Sequence, residues 1–102
     1  MGDRAQVKFI TEEKAIYFYT HYNAYCLEDI VVSALKRGID RHSDPDYLAR
    51  IIFCEMVKDS PMSLTGAGIG LSQYEKIVTV DCDKKEVTFY DETIKKFDEI
   101  VN

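Results

Sequence analysis

The stretch Asp44-Pro45-Asp46-Tyr47-Leu48-Ala49-Arg50-Ile51-Ile52-Phe53-Cys54-Glu55-Met56-Val57-Lys58 constrains the fold more than any other. Pro45 stands where the first turn of a helix needs no N–H, Asp44 occupies the N-cap position before it, and apolar residues then fill nearly every side. A helix of that composition is expected to be surrounded by protein, so the other elements should be arranged to cover it. Arg50 and Glu55 are the exceptions. At about 100° per residue they lie roughly 140° apart around the axis, so each needs its own partner. Asp46, one turn before Arg50, is the expected partner of the arginine. The helix should end near Asp59-Ser60-Pro61, because a residue before proline is pushed out of the helical region.

Upstream, residues 6–10 predict a first strand and residues 15–22 a second, the latter filled with β-branched and aromatic side chains around the turn Thr11-Glu12-Glu13-Lys14. Alternation puts Ile16, Phe18 and Thr20 on one face, and Tyr17, Tyr19 and His21 on the other. Leu27, Ile30, Val31, Ala34 and Leu35 follow the spacing of an amphipathic helix, which Lys36, Arg37 and Gly38 terminate. Residues 60–73, with Pro61 and Thr65-Gly66-Ala67-Gly68-Ile69-Gly70, read as a long loop. Residues 76–81 and 86–90 predict a second hairpin, and 91–101 a closing helix with Ile94, Phe97 and Val101 on one stripe. The order is ββααββα: a single α+β domain over residues 1–102, an antiparallel four-stranded sheet with helices packed on one face.

With 102 residues, such a domain folds without disulfides or metal. A net charge of −5 argues against general nucleic-acid binding, which needs many phosphates neutralised by Lys and Arg. No run approaches the roughly 18–20 apolar residues of a membrane helix, and Met1-Gly2-Asp3-Arg4 lacks the apolar core of a signal peptide, so no membrane association and a cytoplasmic location are expected. Cys26, Cys54 and Cys82 lack zinc or disulfide spacing. Cys54 reads as a small core residue, and Cys82, between Asp81 and Asp83, as a poor nucleophile. No cofactor and no metal are expected.

Several blocks together resemble a family of small proteins encoded by phages and by bacteria carrying prophages. They are Tyr19-Thr20-His21-Tyr22, Ala34-Leu35-Lys36-Arg37-Gly38, Asp46-Tyr47-Leu48-Ala49-Arg50-Ile51-Ile52-Phe53, Glu55-Met56, Thr65-Gly66 and Gly68-Ile69. The chain departs from the family pattern at Tyr22, where Trp is commoner, and after Ile69. The resemblance implies a phage setting, in the host cytoplasm, and says little about activity.

No nucleophile, base and orienting group assemble into a catalytic set, which points to a non-enzymatic binding protein. Tyr19, Tyr22, Tyr25 and Tyr47 supply rings for stacking, Arg41 and Arg50 cations for phosphates, His21 a hydrogen-bonding ring, and Thr65, Gly66 and Gly68 backbone N–H groups. These are the candidate ligand-binding residues. With the phage setting, the leading expectation is a host-takeover or anti-defence protein that sequesters a nucleotide-like signalling molecule as a homo-oligomer. The alternative is an inhibitor that binds a host defence protein or enzyme; a third reading is a small phosphodiesterase using His21.

Overall fold

The computed structural model describes residues 3–70 and 76–102. β1 (Ala5–Thr11) and β2 (Lys14–Thr20) form the first hairpin, and a short 3-10 turn at Ala24–Cys26 leads into α1 (Leu27–Arg37). A second such turn at Ile39–Arg41 precedes α2 (Pro45–Val57). β3 (Ala67–Gly70), β4 (Ile77–Asp81), β5 (Glu86–Thr88), β6 (Ile94–Lys96) and α3 (Phe97–Val101) complete the described chain.

The strands form one six-stranded sheet in the order β3-β2-β1-β4-β5-β6. The α+β class stands, with a single core; the expected four antiparallel strands do not. β1 runs parallel to β4, pairing Val7 with Val78 and Phe9 with Val80, so the two hairpins meet through a parallel centre and the sheet is mixed.

Two further strands were hidden in segments read otherwise. Ala67–Gly70, inside the expected loop, pairs with β2, Ile69 lying opposite Phe18 and Gly68 opposite Tyr19. Ladder hydrogen bonds need no side chain, so a glycine-rich segment can take an edge position that composition does not announce. Residues 71–73 of that loop, with 74 and 75, lie outside the described residues. Ile94–Lys96 extends the sheet beyond β5, which leaves α3 shorter than the expected helix over 91–101.

One face of the sheet builds the core. Val7 and Phe9 of β1, Phe18 of β2, Val78 and Val80 of β4, and Val87 of β5 are buried with residues of all three helices. Leu27, Val31 and Leu35 of α1 are fully enclosed, and each such aliphatic side chain contributes roughly 1.5–3 kcal/mol. Gly38 ends α1 as expected, at an ordinary negative φ of −97°. A Cβ there would stand 2.9 Å from Cδ1 of Ile51, so the residue is small because α2 crosses close by.

α2 is not surrounded. Leu48, Ile52, Glu55 and Met56 face inward, while Tyr47, Arg50 and Cys54 are exposed, Tyr47 at 60%. A high apolar count left one side in solvent because Tyr tolerates the interface and Cys is small, so Cys54 is not the core residue expected. Arg50 and Asp46 form no ion pair among the described residues. On an open helix face that pair would bring only about 0.3–0.5 kcal/mol, and Asp46 already sits in the favourable first turn. Asp44 is the N-cap residue, but its carboxylate takes Nη1 of Arg41 at 3.1 Å instead of capping.

Glu55 has the partners its position requires. Nε of Arg37 donates to Oε1 at 3.0 Å and Nζ of Lys58 to Oε2 at 2.8 Å. The Lys58 hydrogen bond, helped by Arg37, outweighs burial and holds the Glu55 carboxyl below its usual range. No helix among the described residues is long and apolar enough to cross a membrane.

Candidate functional site

A cleft of about 310 Å³ opens between the end of β2, the C-terminal half of α2 and the segment entering β3. Tyr22 and Asn23 line it from the first, Phe53, Met56 and Val57 from the second, and residues from Asp59 to Ala67 from the third. Phe53 is held by the core it borders, its ring centroid 5.7 Å from that of Phe18.

The segment from Ser60 to Gly66 is exposed throughout as far as Thr65, its large apolar side chains included. Ser60, Ser63 and Thr65 line the cleft, and Oγ of Ser63 donates to the Thr65 carbonyl at 3.0 Å. Met62 and Leu64, between them, are 88% and 98% exposed. The turn into β3 is made at Gly66, whose φ of +98° is a left-handed conformation that L side chains rarely adopt. Its carbonyl accepts the backbone N–H of His21 at 2.8 Å, clamping the wall of the cleft to the end of β2.

His21 stands beside this wall. Oη of Tyr19 lies 2.7 Å from its Nδ1, and Nε of Arg4 donates to the same nitrogen at 3.2 Å. An arginine can only donate, so Nδ1 is assigned as the acceptor and Nε2 as the protonated nitrogen. The imidazole meets Tyr22 edge to face, with ring centroids 4.4 Å apart.

The structure therefore brings Tyr19, His21, Tyr22, Thr65 and Gly66 together, and Tyr22, Thr65 and Gly66 line the cleft itself. Gly68 sits opposite Tyr19 within the ladder, so the expected cradle of N–H groups is a strand. Tyr25 is exposed outside the cleft, its N–H bonded to Asp3. Arg41 and Tyr47 form a separate pair at the start of α2, the guanidinium 5.4 Å from the ring centroid and bonded to Asp44.

Arg50 falls between these groups. It precedes Phe53 by one turn of α2 and Val57 by two, and it is exposed, with no ion pair among the described residues. Phe53, Met56, Val57, Asp59, Ser60 and Ser63 were not anticipated as site residues. Pro61 amid serines was the available signal; the three α2 residues read as core and in part are core.

Among the described residues no group of three or more His, Cys, Asp and Glu is placed to hold a metal. Burial, with Asp81 and Asp83 adding to it against Lys85, pushes the Cys82 thiol up to about 12. The direction is the one expected for a poor nucleophile, but burial is its main cause and the acidic neighbours only add to it. Comparison with protein-family models, with curated proteins and with solved structures finds no match.

Proposed function

We propose that the chain is a non-catalytic binding protein whose cleft beside Tyr22 takes a nucleotide-like small molecule and withholds it from other proteins. The observation that carries this reading is the meeting of two aromatic residues, Tyr22 and Phe53, with Ser60, Ser63 and Thr65 in the lining of one cleft of about 310 Å³. That volume is at the small end of ligand pockets, on the order of 300–1,000 Å³. Rings offer stacking to a base, hydroxyls and the Asn23 amide answer its polar edge or a ribose, and the Asp59 carboxylate accepts from amino or hydroxyl groups. No cation lines the walls among the described residues. On this reading phosphates point out of the cleft, and the exposed Arg50, one turn before Phe53 on α2, is the candidate cation for them.

In the phage setting that the resemblance implies, this is a host-takeover or anti-defence protein that lowers the free level of a signalling nucleotide. Calorimetric titration against linear and cyclic nucleotides tests it, with Tyr22→Ala as the control. Binding that weakens at least tenfold in the variant is expected; no binding by any member of the panel sinks the reading.

A second reading, an inhibitor seated on a host defence protein, is favoured by the outward Met62 and Leu64, since nearly full exposure of two large apolar side chains on one short segment suits an interface. With a net charge of −5, the complementary partner is a protein with a basic face. Leu64→Ser would then abolish a stoichiometric complex while leaving nucleotide binding intact.

A further inference from the structure

The two edges of the sheet are built differently. At β6, Lys95 and Lys96 stand on an exposed strand that runs directly into α3, the charged ending by which edges are protected from pairing. At β3 the sequence Ala67-Gly68-Ile69-Gly70 carries no charge and no proline, and Ile69 is 57% exposed.

The hydrogen bond from His21 N–H to the Gly66 carbonyl fixes which backbone groups β3 directs at β2. In the antiparallel register, hydrogen-bonded pairs alternate with non-bonded ones, so Gly68 and Gly70 face β2 as Gly66 does. Ala67 and Ile69 direct their N–H and C=O groups outward, where no further strand lies among the described residues.

We propose that this edge is a self-pairing surface, on which β3 joins β3 of a second copy antiparallel about a two-fold axis passing between the two Gly68 residues. Ala67 of each copy then faces Ile69 of the other and exchanges both hydrogen bonds with it, using every outward group of these residues. Gly68 meets Gly68 as a non-bonded pair, the closest approach in such a ladder at about 4.5 Å between Cα atoms, and has no side chain to obstruct it. Ala67 and Ile69 lie on the same sheet face, so each exposed Ile69 packs over the small Ala67 of the other copy.

A second copy suits this edge because the contact is self-complementary, as an isologous interface must be, and brings no like charges face to face. The result is a continuous sheet through both protomers. A four-residue strand covers less than the roughly 800 Å² per partner of a standard interface. The association is therefore reversible, with a dissociation constant on the order of 10–100 μM.

Sedimentation of the full chain from about 5 to 500 μM tests the proposal across that constant. Ile69→Pro removes an outward N–H and leaves the ladder with β2 untouched, a position proline tolerates on an edge. Ile69→Lys keeps the N–H but adds the charge that protects β6, and decides the matter should the proline variant lose its circular-dichroism spectrum. Expected is a monomer–dimer equilibrium in the native chain, at least tenfold weaker in Ile69→Pro and Ile69→Lys, and within about twofold of native in Ile69→Val. A native chain that stays monomeric throughout overturns the proposal, as does unchanged dimerisation in folded Ile69→Lys.

Discussion

The Asp83 carboxylate accepts the backbone N–H of Glu12 at 2.9 Å and, through its other oxygen, that of Glu13 at 3.1 Å, tying the β1–β2 turn to the β4–β5 turn. Glu12 and Glu13 have φ of 53° and 64°, the left-handed values that two-residue hairpin turns require and that Asn-Gly usually supplies. These bonds, that of Glu12 first, hold the Asp83 carboxyl below its usual range. A lowered native pKa means a contribution complete above the unfolded carboxylate value, near pH 4, and lost as pH falls through the native one. Asp83→Ala should therefore speed amide exchange at Glu12 and Glu13 and remove part of the acid-side loss of stability. Unchanged exchange would show that the turn holds itself.

Glu55 sets a second acid-sensitive contact, between α1 and α2. Its carboxyl is 8% exposed, whereas Arg37 and Lys58 are more than half exposed, so the cations remain solvated when the carboxylate is lost. Glu55→Gln is expected to cost about 1 kcal/mol at pH 7, less than a fully buried pair would. The native pKa is lowered, so the Glu55 contribution is complete above the unfolded value, near pH 4.3, and disappears below the native one. Urea denaturation at pH 7 and at pH 3 measures both. The gap between native and variant should narrow at pH 3.

What could be read from sequence alone divides along physical lines. Leu27, Val31 and Leu35 announce α1 because burial of one helix face imposes a periodicity on side chains, whereas Ile16 to Thr20 announce β2 by their β-branched and aromatic content, Tyr17 and Phe18 being buried on opposite faces. β3 leaves no such trace, since Gly68 and Gly70 contribute only backbone to the ladder. The parallel pairing of β1 with β4 depends on a connection between distant segments, which local preference does not encode. At the site, Tyr22 and Thr65 were legible as exposed polar and aromatic groups, but Phe53 and Met56 look the same whether they border a cleft or fill a core. Glu55 was recognisable as needing a partner; Lys58 lies one turn away, whereas Arg37 belongs to another helix.

Gly38 tests the closeness of α1 and α2. Its φ of −97° suits alanine, so the cost of Gly38→Ala lies in contact rather than in backbone strain. The added methyl would stand 2.9 Å from Cδ1 and 3.3 Å from Cγ2 of Ile51, and 3.1 Å from the Ala34 carbonyl. Overpacking of this kind costs roughly 1–3 kcal/mol, of which the reduced entropy of the unfolded chain returns part. The double variant Gly38→Ala with Ile51→Val should recover stability relative to Gly38→Ala. Chemical denaturation of the set decides it, and simple additivity would show that Ile51 is not the obstacle.

Arg50 separates the readings of the cleft. It is exposed and has no ion pair among the described residues, so Arg50→Ala should change stability by no more than about 0.5 kcal/mol. Arg50 stands one helical turn before Phe53, and on the proposed nucleotide reading it meets a phosphate while the base occupies the cleft. Arg50→Ala should therefore weaken binding of a nucleotide at least tenfold, about 1.4 kcal/mol, and leave binding of the matching nucleoside nearly unchanged. Titrating both ligands into native and variant protein at two salt concentrations makes the comparison, since a phosphate contact also loses strength with salt. Equal losses for nucleoside and nucleotide would mean that Arg50 shapes the cleft instead of meeting charge. No loss for either would leave the rings and hydroxyls as the whole of the site.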